Sequence, residues 1–215
     1  MDIKKKGVIY DLDGTIISTT KLHEQGWQEA GKSHDIDINQ DFLRNQKGMA
    51  NETAAKMILG EKFATHGKSF VQAKEEYVNK NTHAAGLFEN FLDAYKKLKE
   101  HGVNVWVCTS ARRDFALSIY NHLFGLQMLK DNTVSWEMYK HGKPDPEPIL
   151  LTAKLMGLPI QDCVYVGDAY NDYLAVKSAG CSFIYFCRDL ADKDPRIPDD
   201  APVISNHTEI LSKLL

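Results

Sequence analysis

Short apolar runs recur along the chain, and most are followed by a stretch in which apolar residues return at helical spacing. Four of the runs are short and rich in Val, Ile, Tyr and Phe, which is typical of strands buried on both faces. They are Gly7 to Asp11, Asn104 to Thr109, Asp162 to Gly167 and Cys181 to Phe186. Strands that alternate with single helices are typical of right-handed crossovers. The pattern therefore predicts an α/β fold, a Rossmann-like and mostly parallel sheet with helices on both faces.

The helices that cover this sheet are predicted from apolar spacing and from the glycines that follow it. They are Leu87 to His101, Asp114 to Phe124, Pro146 to Met156 and Asn171 to Ala179. A glycine follows each of these stretches directly. Because glycine readily adopts the left-handed conformation that ends a helix, each of these glycines predicts a helix terminus.

One segment breaks the alternation, because no strand pattern follows the first strand until Val103. Residues 18–83 show helical spacing instead, and they are too many for a single crossover helix. The predicted helices in this segment are Lys21 to Ala30, Asn39 to Arg44, Asn51 to Leu59 and Ser69 to Lys80. We interpret residues 18–83 as a helical subdomain inserted into an α/β core of residues 1–17 and 84–215.

The composition is that of an ordinary globular protein, with 215 residues, 43% of them hydrophobic and 26% charged. A formal net charge of -3 argues against nucleic acid or an anionic membrane as the main partner. The first residues lack the apolar run of a signal peptide or a membrane span. The four cysteines show no metal-binding spacing and favour buried, reduced thiols in a cytoplasmic protein.

Polar side chains follow the predicted strands at the points where the strands end. Asp11 and Asp13 come directly after the first strand, and Gly14 lets the backbone turn tightly. Taken alone, this run also fits a simple turn that caps a helix. The other strand ends and the loops beside them carry a hydroxyl pair, a lysine and two further carboxylates. These are Thr109 and Ser110, Lys143, and Asp168 with Asp172.

These residue types are chemically consistent with one site, because ligands of open α/β sheets bind at the carboxyl ends of strands. Carboxylates that converge repel by about 4 kcal/mol per pair at 4 Å and an effective dielectric near 20, so the group needs a cation. An all-oxygen set of ligands suits Mg²⁺ and leaves room for a phosphate oxygen. A lysine and a hydroxyl would hold the remaining phosphoryl oxygens. The sequence therefore predicts a phosphoryl group as the ligand.

In this order, the four motifs resemble those of the haloacid dehalogenase superfamily. They read DLDGT from Asp11 to Thr15, CTS around Thr109, HGKPDPEP around Lys143, and GDAYND with Asp168 and Asp172. The helical insertion after the first motif is similar to the first cap class of that family. The resemblance extends over essentially the whole chain and implies that residues 18–83 form the cap.

The resemblance also implies a role for each motif residue. Asp11 would be the nucleophile that becomes an aspartyl phosphate. Asp13 would be the general acid and base, and its identity disfavours dehalogenation, phosphonate cleavage and ion pumping. Thr109 and Lys143 would bind the transferring phosphoryl. For Mg²⁺, the implied ligands are the side chains of Asp11 and Asp168 and the backbone carbonyl of Asp13, with Asp172 acting through water or from behind the direct ligands.

Substrate contacts are predicted both in the cap and in the core. His23 and Trp27 share one helix face, and the segment around them resembles the start of the cap in beta-phosphoglucomutases and sugar phosphatases. A core tryptophan with a half-exposed histidine fits the same spacing. The turn KGMANET resembles the substrate-specificity loop of that group, with Asn51 where the mutases carry an arginine. The full set of predicted substrate-binding residues is Gly14, Thr15, Ser110, His23, Lys47, Asn51 and Arg112, of which Arg112 also fits an ordinary solvated residue.

The leading hypothesis is a Mg²⁺-dependent phosphatase that hydrolyses a small phosphorylated metabolite, sugar phosphate or phosphoglycolate-like, through an aspartyl phosphate. A sugar phosphomutase is the alternative, and a phosphate-binding module without catalysis is a third. Every catalytic residue type is present, which disfavours the third. A monomer is favoured.

Overall fold

The computed structural model describes residues 5–123 and 125–214 and, at residues 44 and 45, the backbone alone. Its strands are β1 (Gly7–Tyr10), β2 (Ile17–Ser18), β3 (Gly86–Leu87), β4 (Asn104–Cys108), β5 (Thr133–Val134), β6 (Cys163–Gly167), β7 (Ser182–Phe186) and β8 (Val203–Ile204). Its helices are α1 (Thr20–Ser33), α2 (Gln40–Asn45), α3 (Asn51–Leu59), α4 (Phe63–Lys80), α5 (Phe91–Glu100), α6 (Arg113–His122), α7 (Glu147–Met156), α8 (Tyr170–Ala179) and α9 (Ile210–Leu214).

Six strands form one parallel sheet in the order β5-β4-β1-β6-β7-β8. This topology confirms the predicted α/β class with a mostly parallel sheet. From β1 the chain adds β4 and β5 on one side and then β6, β7 and β8 on the other, so the strand order reverses between β1 and β6. Open α/β sheets bind their ligands at such a reversal. Asp11 follows β1 directly at this point.

The sheet is buried on both faces, as the near-continuous apolar strands require. In β1, Val8 and Tyr10 belong to one hydrophobic cluster, which also contains Phe91 and Leu98 of α5. Ile9 points to the opposite face and belongs to a second cluster with residues of α7 and α8. This alternation fixes the register of β1, because a slip by one residue would exchange the two faces.

The four helices between β2 and β3 have a hydrophobic cluster of their own. Its buried members include Trp27 of α1, Ala54 of α3 and Phe70 of α4. β2 pairs antiparallel with β3, so the two ends of this helical segment lie side by side. The paired residues are Ile17 with Leu87 and Ser18 with Gly86, close to the junctions expected from the sequence.

The structure also corrects several predictions. β2 and β3 fall where no strand was expected, and β5 and β8 were missed, because two residues are too few to show an alternating pattern. The helix predicted from Leu87 begins only at Phe91, since Leu87 lies in β3 and Asn90 has a positive φ of 64°. Phe124, the last residue of another predicted helix, lies outside the described residues. Within the described part of the chain, no helix combines the length and apolar character needed to cross a membrane.

Candidate active site

The loop after β1 carries the first two carboxylates of the site. The backbone N–H of Asp11 still donates to the carbonyl of Val166 in β6, at 2.9 Å, so Asp11 is fixed at the end of the sheet. Gly14 then adopts a positive φ of 82°. A Cβ atom at Gly14 would collide with the carboxylate of Asp168. Glycine is therefore required here both for its backbone conformation and for the close approach of Asp168.

Lys143 connects three polar side chains near the strand ends. Its Nζ atom lies 2.8 Å from Oδ1 of Asp11, 2.6 Å from Oδ1 of Asp172 and 2.9 Å from the hydroxyl of Tyr165. The lysine side chain is fully buried. Burial alone would lower the pKa of Lys143, but the carboxylates of Asp11 and Asp172 raise it well above its ordinary value. A permanent positive charge is thus held beside the predicted nucleophile.

Three carboxylates, from Asp11, Asp168 and Asp172, each bring one oxygen within 4.8 Å of the other two. Asp168 also accepts a hydrogen bond from the hydroxyl of Thr15, at 3.1 Å. Burial, and then the neighbouring charge of Asp172, raises the pKa of Asp168 to about 7. For Asp11, burial outweighs the opposing charge of Lys143 and raises the pKa well above its ordinary value. One lysine does not balance three carboxylates, so the donor set fits a divalent cation such as Mg²⁺.

Asp13 belongs to a different hydrogen-bond network. Its Oδ1 accepts from the hydroxyl of Thr19 at 2.6 Å and lies 3.0 Å from Nε2 of His23. Burial opposes the charged form of Asp13, but His23, Thr19 and the positive charge of Lys74 together hold its pKa below the ordinary value. Asp13 is therefore ionised at neutral pH in this arrangement.

Lys74 of α4 determines the tautomer and the protonation state of His23. Its Nζ lies 2.8 Å from Nδ1 of His23 and 2.8 Å from Oδ1 of Asn51. Because an ammonium group only donates hydrogen bonds, Nδ1 accepts and the ring proton is on Nε2, where it faces Asp13. Burial and the charge of Lys74 lower the pKa of His23, which favours the neutral ring. Asn51 in turn donates from Nδ2 to Oε1 of Glu75, at 3.0 Å.

Lys74 was missed in the sequence analysis, although the sequence contains a signal for it. Lys74 stands four residues after Phe70 and four before Val78, and both neighbours are buried. A lysine in the middle of an apolar helix face needs polar partners, because a buried charge without them is costly. Lys74 is only 3% exposed. Glu75, Thr19 and Tyr165 were missed as well, and their contacts cross between elements.

Two further hydrogen bonds join the helical segment to the core, one just after β4 and one at the start of α8. The hydroxyl of Ser110 donates to the carbonyl of Gly48 at 2.9 Å, and Nδ2 of Asn171 donates to the carbonyl of Lys47 at 2.7 Å. Ser110 thus holds the turn that carries Lys47 over the strand ends. Thr109 is buried beside it, and its hydroxyl accepts from the backbone N–H of Ala111 at 3.0 Å.

A cleft of about 810 Å³, a volume that includes its open mouth, lies between the helical segment and the strand ends. Nine of the predicted site residues line it: Asp11, Asp13, His23, Lys47, Asn51, Thr109, Ser110, Arg112 and Asp168. The other four, Gly14, Thr15, Lys143 and Asp172, are buried behind this lining. Thr15 holds Asp168, and Lys143 holds Asp11 and Asp172, so the structure gives both residues contacts with carboxylates of the site.

The alternatives left open for Trp27, His23 and Arg112 have different outcomes. Trp27 is a core residue, 1% exposed, whose Nε1 donates to Gln46 at 3.3 Å. His23, on the same helix face, contacts Asp13 in the cleft. The guanidinium of Arg112 lies 3.6 Å from a carboxylate oxygen of Glu137 and 4.0 Å from one of Asp114, although Arg112 also lines the cleft.

Comparison with known proteins places this chain among hydrolases. A family model described as haloacid dehalogenase-like hydrolase matches residues 5–180. The chain is 27% identical to pyrophosphatase PpaX of Bacillus velezensis, covering 83% of this chain and 82% of that protein. It is 26% identical to hexitol phosphatase A of Escherichia coli, covering 83% and 82%. It is 27% identical to beta-phosphoglucomutase of Bacillus subtilis, covering 81% and 80%.

A solved structure supports the fold. The crystal structure of a hydrolase from Pseudomonas syringae superimposes with a TM-score of 0.85 and covers 98% of both chains, at 20% identity. At 20% identity, this similarity shows only that the two proteins share a fold.

Proposed function

This chain belongs to the haloacid dehalogenase-like hydrolase family, and from that premise we propose that it is a Mg²⁺-dependent phosphatase that uses Asp11 as its nucleophile. The predictions of the family and of a phosphoric monoester hydrolase are confirmed. The metal, the mechanism and the role of each residue are our proposal. The observation that carries it is the position of Asp11, in the cleft beside Asp168 and in contact with the buried Lys143.

In the first step, the Asp11 carboxylate attacks the phosphorus of a phosphate monoester. The bond to the leaving oxygen breaks as an aspartyl phosphate forms, and Asp13 gives its proton to that oxygen. A carboxylate needs no base to become a nucleophile, but an alkoxide is a poor leaving group and needs a proton. Thr109 would bind a transferring phosphoryl oxygen, and Lys143, whose Nζ is bonded to Asp11, Asp172 and Tyr165, would offset the phosphoryl charge from behind Asp11. Lys47 and Ser110 would contact the substrate nearby.

The protonation state of Asp13 differs between the two steps. In the arrangement described here Asp13 is ionised, the form that takes a proton from water in the second step. When a phosphate dianion enters the cleft, its charge raises the pKa of Asp13 and favours the protonated form that the first step needs. In the second step, water attacks the aspartyl phosphate, Asp13 accepts its proton, and Asp11 is regenerated as phosphate leaves.

For Mg²⁺, the residues that would hold it are Asp11 and Asp168 by side chain and Asp13 by its backbone carbonyl, with Asp172 behind them. When bound, the ion neutralises the repulsion between the nucleophile and the phosphate dianion. The proximity and raised pKa of Asp11 and Asp168 support a cation at this place.

A sugar phosphomutase is the second candidate, supported by the similarity to beta-phosphoglucomutase. A mutase needs a second phosphate clamp in the cap, preferably a bidentate arginine. Asn51 occupies that position here, and both ends of its amide are engaged by Lys74 and Glu75. We therefore favour hydrolysis, with a small phosphorylated metabolite such as a sugar phosphate as substrate.

The proposal is tested by incubating the purified protein with Mg²⁺ and a panel of phosphorylated metabolites, and by measuring free phosphate and isomerised product. We expect net phosphate release and little conversion of beta-glucose 1-phosphate to glucose 6-phosphate, even with a bisphosphate primer. Primer-dependent isomerisation with negligible free phosphate would favour the mutase. Neither phosphate release nor isomerisation of any member of the panel would contradict both enzymes.

A further inference from the structure

We propose that Glu75 and Asn51 select the leaving group, and that the substrate is a phosphate ester of a neutral alcohol with several hydroxyl groups. An ester whose leaving group carries a second phosphate or a carboxylate would be disfavoured. This inference deepens the proposed function and rests on it, because the leaving group is located relative to Asp13.

A continuous chain of hydrogen bonds leads away from Asp13 into the helical segment. It runs from Asp13 to His23, from His23 to Lys74, from Lys74 to Asn51 and from Asn51 to Glu75. All five residues line the same cleft. Since Asp13 protonates the leaving oxygen in the proposed reaction, the rest of the leaving group lies beside this chain.

Along this wall one cation, Lys74, faces two carboxylates, Asp13 and Glu75. Lys74 is the cation of the chain, but its Nζ already donates to His23 and Asn51, so at most one N–H remains for a ligand. Glu75 is its acidic neighbour and is only partly buried. Its Oε1 accepts from Asn51, and the carboxylate has further lone pairs to offer. A hydroxyl group can donate to this carboxylate, whereas a phosphate dianion or a carboxylate cannot.

The other cationic side chains described along the cleft are engaged elsewhere. Arg112 faces Glu137 and Asp114. The charge of Lys47 acts on Asp168, which is the end of the cleft where the transferring phosphoryl would lie. An anionic leaving group would therefore meet a carboxylate and no uncommitted cation among the described residues. Specificity of this kind comes from repulsion of the wrong ligand as much as from attraction of the right one.

The test compares two substrates that differ at one end. D-Glucitol 6-phosphate and 6-phosphogluconate share a carbon chain, but the first ends in a neutral hydroxymethyl group and the second in a carboxylate. We expect the wild-type protein with Mg²⁺ to have the higher kcat/KM for glucitol 6-phosphate. In Glu75→Gln, the ratio of the two kcat/KM values should move toward 6-phosphogluconate by about tenfold, mainly through KM.

Glu76→Gln is the matched control, because Glu76 follows in the sequence but is exposed and bonds only to Gln72 in the described contacts. Its substrate ratio should equal that of the wild type. The inference is overturned if the wild type prefers 6-phosphogluconate, or if the ratio in Glu75→Gln matches that in Glu76→Gln.

An aryl phosphate, p-nitrophenyl phosphate, separates this inference from the proposed function. Its leaving group has no hydroxyl to recognise and needs little protonation. Mg²⁺-dependent release of p-nitrophenol together with equal kcat/KM for the two sugar-derived substrates would overturn the selectivity alone. Failure to hydrolyse any of the three would overturn the proposed function and the inference with it.

Discussion

His207 donates a hydrogen bond from Nε2 to the backbone carbonyl of Thr15, at 2.9 Å and 192 residues apart in the chain. The ring is fully buried and stacks on Phe186, with centroids 4.5 Å apart and an interplanar angle of 9°. The hydroxyl of Thr15 donates to Asp168. A residue near the end of the chain thus holds the loop that carries the first motif of the site.

The burial of His207 predicts that the stability of the protein depends on pH. Burial lowers the pKa of His207 to about 4 from its ordinary value of 6.5. Between these two values the unfolded chain binds the proton and the folded chain does not, so the free energy of unfolding falls as the pH falls. From pH 7 to pH 5 the loss due to His207 should be about 2 kcal/mol.

Urea unfolding at both pH values measures this loss in the wild type and in His207→Gln, which keeps a donor but does not titrate. The wild type should lose about 2 kcal/mol more than the variant. The exposed His101, replaced in the same way, is the control and should not change the difference between the two pH values. Equal losses in the wild type and His207→Gln would contradict the burial effect.

Asp11→Asn should abolish turnover and leave the fold intact. An amide is neutral and nearly isosteric but cannot attack phosphorus, and removal of a nucleophile costs about 10⁴-fold or more in kcat. Lys143 keeps Asp172 as a partner at 2.6 Å, so no buried charge is left alone. Single-turnover phosphate release and circular dichroism check both points, with the exposed Asp93→Asn as control. Activity near that of the wild type would remove Asp11 as the nucleophile.

Activity should require Mg²⁺, because without a cation the nucleophile and the phosphate dianion repel each other. EDTA should abolish phosphate release, and added Mg²⁺ should restore it. Asp168→Asn should raise the half-saturating Mg²⁺ concentration by about tenfold or more, since even residues that only orient metal ligands change affinity by that much. The exposed Asp131→Asn provides the matched control. Full activity in chelator would refute the metal assignment.

Asp13→Ala should affect substrates according to their leaving group. An alkyl phosphate needs protonation of the leaving oxygen, and loss of a general acid costs about 10² to 10⁴ in rate. An aryl phosphate needs it less and should lose less. The measurement is kcat for both substrate types in the wild type and the variant. Equal losses would indicate that Asp13 chiefly positions other groups.

The sequence by itself determined four of the six strands of the sheet and placed acidic side chains at their ends. β1, β4, β6 and β7 lie within one residue of their predicted bounds, because buried parallel strands are recognisable as local apolar runs. Helices α7 and α8 end just before Gly157 and Gly180, whose φ values are 69° and 72°, as their sequence signals indicate. The motif residues follow strands, and parallel strands bring their carboxyl ends to one edge, so local pattern and topology together located the carboxylates.

Tertiary structure alone decided which side chains meet across elements. Lys74 contacts His23 over 51 residues of sequence, and this contact depends on the packing of α1 against α4. Likewise, only the docked C-terminal segment brings His207 to Thr15. The physical reason is that hydrophobic spacing specifies which face of an element is buried, whereas a hydrogen bond between two elements depends on their relative rotation and displacement, to within a few tenths of an ångström.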